Sequence, residues 1–321
     1  MSRVSAFVRL GRPIFLVGGV VFYGVGTAVA AFQGSRLDWK RFAWGQLAVS
    51  SIQAMTHYAN DFFDLDADCA NRTPTRWSGG SRVLPNGELA PRVALVAAAV
   101  LAGVAIFATL ALYFVLSTES SAALALVAAL VLAWAYSAPP LRLHSRGLGE
   151  IDTAVVTTIL VPFIGYHLQA RTISSIVVAA VAPLFLLQFA MLLAVEFPDA
   201  IGDDAVGKRT LVVRMGGRKA GLLYACTLAL HYILLPVWTG LGLPVVVAAA
   251  LLATLPVAIY LAALVVGRGH RDGSTCNRIA FLSTALLVGS ALLEVMTFGI
   301  ARHALTTKAP PFAETRAAHI E

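Results

Sequence analysis

Two short stretches concentrate acidic side chains at a repeated spacing. Asn60-Asp61-Phe62-Phe63-Asp64-Leu65-Asp66-Ala67-Asp68 and Glu196-Phe197-Pro198-Asp199-Ala200-Ile201-Gly202-Asp203-Asp204 both read acid-xx-Asp-xxx-Asp. Asp61 and Glu196, Asp64 and Asp199, and Asp68 and Asp203 are each 135 residues apart. On a continuous helix, spacings of three and four put each set on one face. Like charges one turn apart repel by about a few tenths of a kcal/mol, and the C-terminal end of a helix is already negative. A bound cation reverses both penalties. The ligands are hard oxygens with no His or Cys cluster at ligand spacing, a set that suits Mg²⁺ better than Zn²⁺. Magnesium takes few protein carboxylates and completes its shell with water and phosphate oxygens, so two facing clusters describe a diphosphate site. Basic residues follow each cluster: Arg72, Arg76 and Arg82 after the first, Lys208, Arg209 and Arg214 after the second. Such cations suit the oxygens that metals leave free, and Ser78-Gly79-Gly80-Ser81 offers backbone N–H groups to a phosphate.

The elements that position these residues are membrane spans. Of 321 residues, 58% are hydrophobic and only 13% charged, against about 25% charged in a soluble domain. Mean hydropathy is +0.78. Nine apolar spans are expected, at about 14–32, 44–60, 93–116, 120–136, 151–168, 174–195, 220–238, 244–266 and 279–303, each near the length that crosses roughly 30 Å of hydrocarbon. The fold class expected is therefore an all-α polytopic bundle forming one domain over residues 1–303, with a disordered tail at 304–321. Ala28-Val29-Ala30 mimics a signal-peptidase site, but the spans that follow favour an uncleaved first helix.

The net charge of +7 does not point to nucleic acid, because no basic stripe is interleaved with aromatics. Seventeen of the 24 Lys and Arg residues fall at the N-terminus and in the loops at 61–92, 137–150, 196–219 and 267–278, and seven on the opposite side. This bias puts the N-terminus and the long loops in the cytoplasm. Nine of the 17 carboxylates also lie in two of those loops, which topology does not require. Cys69, Cys226 and Cys276 show neither a pairing nor a metal-binding pattern. Four spans separate the acidic clusters, the arrangement of a duplicated parallel unit.

In these residues the chain resembles the UbiA superfamily of intramembrane prenyltransferases. Asn60-Asp61-xx-Asp64-xxx-Asp68 with Asp199-xxx-Asp203 is similar to its paired signature. Ser78–Leu84, Tyr136-Ser137-Ala138-Pro139-Pro140-Leu141-Arg142-Leu143, Arg146–Glu150 and Gly207–Leu211 are similar to its naphthoate-prenylating branch. The resemblance covers about residues 9–300. It implies a helical bundle around a central cavity open to lipid, and Mg²⁺-dependent transfer from an isoprenyl diphosphate to an aromatic acceptor of the 1,4-dihydroxy-2-naphthoate type, as in menaquinone biosynthesis. By the same resemblance Asp61, Asp64, Asp68, Asp199 and Asp203 hold metal and take part in catalysis. Asn60, Arg72, Arg82, Arg142, Lys208 and Arg209 bind substrate, and Tyr136 joins the catalytic set. Val195, Glu196 and Pro198 depart from the branch pattern, and His144 stands where a Lys is common.

The chemistry so implied is ionisation of an allylic diphosphate, stabilised by metal and basic residues, then attack by an electron-rich aromatic carbon in a dry cavity lined by π-faces. A terpene cyclase would use the same diphosphate site without an acceptor. A secondary transporter would instead carry its ionisable groups near mid-membrane. Gln53, His57 and Asn60–Asp61 lie about a turn apart and are expected to line the cavity, His57 orienting a carboxylate or meeting a neighbouring helix. His167, Gln188 and His231 read as inter-helix hydrogen bonders. Glu294 is a costly intramembrane acid with no partner evident, and Phe62, Phe63, Phe189 and Met191 are either packing residues or contacts for a prenyl chain.

Overall fold

The structure is a computed structural model that describes residues 2–71, 74–75, 77–267 and 272–308, with side chains described as far as 305. The described residues form α1 (Arg3–Leu10), α2 (Pro13–Phe32), α3 (Trp39–Phe63), α4 (Leu65–Ala70), α5 (Pro91–Leu110), α6 (Ser120–Ser137), α7 (Gly149–Val155), α8 (Val161–Ala170), α9 (Ser175–Glu196), α10 (Ala200–Ala205), α11 (Leu211–Met215), α12 (Gly217–Ile233), α13 (Leu235–Gly240), α14 (Val245–Leu252), α15 (Leu255–Val266) and α16 (Gly273–Lys308). A five-residue π turn, Ala111–Val115, extends α5, and another, Val156–Leu160, joins α7 to α8. Helix starts follow local chemistry. Pro13 and Pro91 open α2 and α5 where no N–H is needed. Asp38 caps α3 through the amides of Lys40 and Arg41, and Ser174 caps α9 through that of Ile176.

Among the described residues seven helices are long and apolar enough to cross a membrane, or eight if α14 and α15, bent by 40°, make one span. The sequence called for nine. The difference is α3, which covers the expected span 44–60 as a 25-residue helix but carries Gln46, Gln53, His57, Asn60 and Asp61. Its polar face turns into the protein, with Asp61 buried. The expected span 244–266 breaks at Ala253–Thr254, where Pro256 in the first turn of α15 has no N–H to continue the helix. The last helix runs beyond the expected end at 303 to Lys308, and the rest of the tail lies outside the described residues.

Lipid has no preference between one apolar helix and another, so packing depends on how closely backbones approach. At the α2–α8 contact a Cβ on Gly26 would stand 1.8 Å from the Pro162 carbonyl oxygen, and one on Gly165 would stand 2.3 Å from that of Tyr23. Only glycine permits this seam. On the outside, Val96, Val100, Phe107, Phe114 and Val115 of the α5 arm are exposed apolar residues, a surface suited to hydrocarbon. The protein is an integral membrane protein.

Candidate active site

The 135-residue register seen in the sequence is also a register of structure. Moved by 135, α4 (65–70) falls end to end on α10 (200–205). Each is a short helix after a break in a long one. Asp64 sits between α3 and α4, and Asp199 is the N-cap residue of α10. The long helices therefore do not run straight through the acidic stretches, as the one-face argument assumed. The two short helices pack against each other, which brings the clusters together at one end of the bundle. Glu196 leaves the register: its carboxyl bonds Glu150 instead of joining Asp199 and Asp203.

Lys208 ties the two halves. Its Nζ lies 2.9 Å from Asp64 Oδ2 and 3.5 Å from Asp203 Oδ1. Asp64 also receives Asn60 Nδ2 at 2.8 Å and faces His144 Nε2 at 2.5 Å. His144 Nδ1 faces the Tyr136 carbonyl at 2.5 Å, and its ring stacks on that of Tyr136 with centroids 5.1 Å apart. Asp61 is ion-paired to Arg12. The glycine-containing loop crosses both clusters. Gly79 N donates to Asp199 Oδ2 at 3.0 Å, and Ser81 N donates to Asp61 Oδ2 at 3.1 Å, assisted by the Ser81 hydroxyl. Asn71 Nδ2 holds the other Asp199 oxygen at 2.7 Å. Gly80, at φ +74°, passes so close to Asp68 that a Cβ would meet Oδ2 at 1.9 Å.

The carboxylates do not share one environment. Burial alone would raise Asp64, but Lys208 and His144 outweigh it and hold the group below the usual carboxylate range. Asp68 is pushed up to about 7 by burial and by the neighbouring Asp61 and Asp64. Asp203 is raised to about 6 by burial, with Lys208 offsetting part of the effect. Burial raises Asp199 as well. Burial would strip the proton from Lys208, yet Asp64 and Asp203 hold it there well above the ordinary value. At both Asp68 and Asp203 burial is the larger cause, and neighbouring carboxylates add to it.

Of the residues singled out in the sequence, Asn60, Asp61, Asp64, Asp68, Asp199, Asp203 and Lys208 meet here. Tyr136 joins through His144, and Arg82 Nη1 donates to the Asp68 carbonyl. Others lie elsewhere. Arg209 Nη1 pairs with Asp204 at 3.0 Å, both side chains 59% exposed. Arg142 is exposed and reaches only the Phe63 carbonyl, at 3.5 Å. Arg72 and Arg76 lie outside the described residues. Among the described residues His57 orients no carboxylate: its ring packs against Phe15, centroids 5.9 Å apart, and its Nε2 has no partner there. Gln53 Nε2 bonds the Phe15 carbonyl at 2.7 Å. His167 and His231 do bond across to neighbouring segments, at Ser121 and at the Pro183 carbonyl. Sequence reasoning missed Arg12 and Asn71 and treated His144 only as a departure. A charge at a span end reads as topology, and nothing local marked Arg12 as the partner of a residue 49 positions away.

No group of three His, Cys, Asp or Glu side chains converges at metal-binding range among the described residues. The donor set still fits a hard divalent cation. Its acids are oxygens only, Asp68 and Asp203 are under-neutralised, and Mg²⁺ needs one or two carboxylates when phosphate oxygens complete its shell.

The chain is similar to known proteins in sequence and in fold. A digeranylgeranylglyceryl phosphate synthase of Pyrococcus furiosus is 27% identical over 304 residues, covering 93% of this chain and all of that protein. A 1,4-dihydroxy-2-naphthoate octaprenyltransferase of Mycobacterium tuberculosis is 27% identical over 305 residues, covering 91% and 98%. The solved structure of a UbiA homologue from Archaeoglobus fulgidus bound to GPP and Mg²⁺ superposes with a TM-score of 0.60 at 17% identity, covering 91% of this chain and 99% of that one, a likeness of fold. The UbiA prenyltransferase family matches residues 20–285. With its paired acidic stretches at one end of an apolar helical bundle, the chain belongs to the UbiA prenyltransferase family.

Proposed function

We propose that the chain transfers a prenyl group from an isoprenyl diphosphate to an aromatic acceptor of the 1,4-dihydroxy-2-naphthoate type, with Mg²⁺ as the divalent cation and the active-site end of the bundle in the cytoplasm. The observation that carries this reading is Lys208 set between Asp64 of one cluster and Asp203 of the other, with the 78–81 loop crossing both. Asp61, Asp64, Asp68, Asp199 and Asp203 are the residues that would hold the metal. When bound, it supplies electrostatic stabilisation of the charge that builds on the departing diphosphate.

The protein's own part is to bind, orient and exclude water. Lys208, set between Asp64 and Asp203, and Arg82, on the Asp68 carbonyl, are the cations that would meet the phosphate oxygens and stabilise the charge that builds as the C–O bond breaks. Gly79 and Ser81 tie the loop down over both clusters, which keeps water from the allylic cation. His144, held between the Tyr136 carbonyl and Asp64, fixes the position of that carboxylate. The acceptor carbon attacks the cation, and one of the aspartates takes the ring proton.

A second reading has its own support: the Pyrococcus relative, equal in identity, is named for a glyceryl phosphate product. Purified membranes given labelled long-chain prenyl diphosphate and Mg²⁺, with 1,4-dihydroxy-2-naphthoate or with a prenylglyceryl phosphate, separate the two. Acceptor-dependent lipid product with the naphthoate, abolished by EDTA and in Asp64→Ala and Asp199→Ala, is the expected result. Product only with the glyceryl phosphate moves the acceptor class. A terpene released without any acceptor makes the chain a cyclase.

A further inference from the structure

A cavity between α2, the loop that carries Trp77 and α16 takes no part in the chemistry above. Its volume is about 440 Å³, and it is lined by Ile14 of α2, Trp77 of the loop, and Ser274, Asn277, Arg278 and Phe281 of α16. That volume lies in the range of small-molecule sites. One wall is aromatic. Trp77 packs on Phe15 and on Phe281, with centroids 5.7 and 5.6 Å apart. The other wall is polar. Arg278 uses one donor, Nη1, on the Tyr260 hydroxyl at 3.2 Å, and pairs with no carboxylate among the described residues. Asn277 Oδ1 is buried without a hydrogen-bond donor among the described residues. Asp272, the acid nearest in sequence, is already engaged by Ser274 and Thr275 at the start of α16.

The position matters as much as the lining. Trp77 is two residues from Gly79, which touches Asp199, and four from Ser81, which touches Asp61. Two residues of chain span about 7 Å at most. Ile14 is likewise two residues from Arg12, the partner of Asp61. Two residues of the lining, Trp77 and Ile14, are thus each within two positions of a residue that touches an acidic cluster.

We propose that this cavity is the acceptor subsite and that it takes a hydroxylated aromatic carboxylic acid. The carboxylate lies on the Arg278 guanidinium, whose planar fork matches it. The ring lies against Trp77 and Phe281, and a ring hydroxyl donates to Asn277 Oδ1. Arg278 is thereby a specificity residue: it distinguishes an aromatic acid from the same ring without a carboxylate. The proposal rests on the aromatic-acceptor reading above.

The test is equilibrium binding of labelled 1-hydroxy-2-naphthoate, and separately of 1-naphthol, to the purified full chain, its Arg278→Ala and Arg278→Lys variants and Asn277→Ala. The unaltered protein should bind the acid, and Arg278→Ala should weaken it by about 10- to 100-fold, the loss expected of a charge-assisted bond to a carboxylate. Arg278→Lys should recover part of that. Binding of 1-naphthol should not respond to Arg278 but should weaken in Asn277→Ala. Prenyl diphosphate binding to Arg278→Ala, measured alongside, should equal that of the unaltered chain and so report an intact fold. Equal affinity for the acid in the unaltered chain and Arg278→Ala, no measurable binding to the unaltered chain, or a loss of diphosphate binding instead overturns the assignment. Turnover is scored independently: acid bound through Arg278 but never prenylated leaves the subsite standing and removes the aromatic-acceptor reading.

Discussion

Asp68→Asn should make the metal-free protein more stable while disabling it. The Asp68 carboxyl is displaced from an ordinary 3.8 to about 7, by burial first and then by Asp61 and Asp64. A folded-state pKa above the unfolded one means the fold favours the neutral acid. Below about pH 4 the group is neutral in both states and costs nothing. From pH 4 to 7 the folded protein loses stability as the proton is removed, and above 7 the penalty is complete. Three units at about 1.4 kcal/mol each, reduced for residual solvent around the group, give a penalty of about 2–4 kcal/mol at pH 8. The neutral, near-isosteric Asn removes it. For a chain of this size the gain is roughly 5–15 °C in melting temperature. The assay is thermal unfolding of detergent-purified protein in chelator at pH 5, 6, 7 and 8. The variant should lie above the unaltered chain at pH 8, with the gap narrowing steadily toward pH 5. Adding Mg²⁺ with a prenyl diphosphate analogue should raise the unaltered chain far more than the variant, since ligands that bind only the fold stabilise it by mass action. A variant no more stable than the unaltered chain at pH 8 in chelator, or a gap that does not change with pH, refutes the claim that the cluster carries uncompensated charge.

The two basic residues that follow the second cluster should separate sharply. Lys208→Met strips the shared cation from Asp64 and Asp203 and should cost about 3–5 kcal/mol of metal-free stability, as breaking a buried pair does, together with nearly all prenyl transfer. Arg209→Ala removes an exposed pair with Asp204 and should change stability by less than about 1 kcal/mol, with transfer rates within a few-fold; comparable losses in both variants, read by unfolding and by steady-state rates, would show that the neighbouring basic residues act as a diffuse charge field. Gly80→Ala should keep the protein folded yet reduce turnover at least tenfold. The left-handed backbone costs alanine only about 1–2 kcal/mol, but a Cβ set 1.9 Å from Asp68 Oδ2 displaces that carboxylate, so unchanged turnover would place Asp68 outside the chemistry.

What was legible in the sequence was whatever repeats or runs along the chain. Apolar runs place most of the spans, and the shared spacing of Asp64, Asp68, Asp199 and Asp203 marks out, before any fold is known, two clusters that the fold brings together. Contacts across helices left no such trace. Arg12 meets Asp61, and His144 meets Asp64, over separations of 49 and 80 residues, and each reads locally as a loop or span-end charge. The register itself misled at one point: Glu196 matches Asp61 in spacing, but spacing says nothing of Glu150 waiting across the bundle. The count of nine spans overshot at α3, because that helix carries Gln46, Gln53, His57, Asn60 and Asp61 along with its apolar residues.

The two halves solve one electrostatic problem differently, and the difference indicates where a divalent cation belongs on the proposed reading. In the first half Asp61 has Arg12 and Asp64 has Lys208 and His144, so both are neutralised by side chains of the protein. In the second, Asp199 is held by uncharged donors, the Ser78 hydroxyl, the Asn71 amide and the Gly79 N–H. Asp203 has only the more distant contact to Lys208. Burial raises the proton affinity of Asp199, Asp68 and Asp203, the last two to about 7 and 6; Asp68 and Asp203 occupy corresponding positions on α4 and α10, the two short helices that pack together. A proton held tightly at neutral pH is a weak substitute for a metal ion. On the proposed reading Asp68 and Asp203 are the residues that would hold the cation, whose charge would take the place of those protons and offset the penalty that Asp68→Asn removes by substitution.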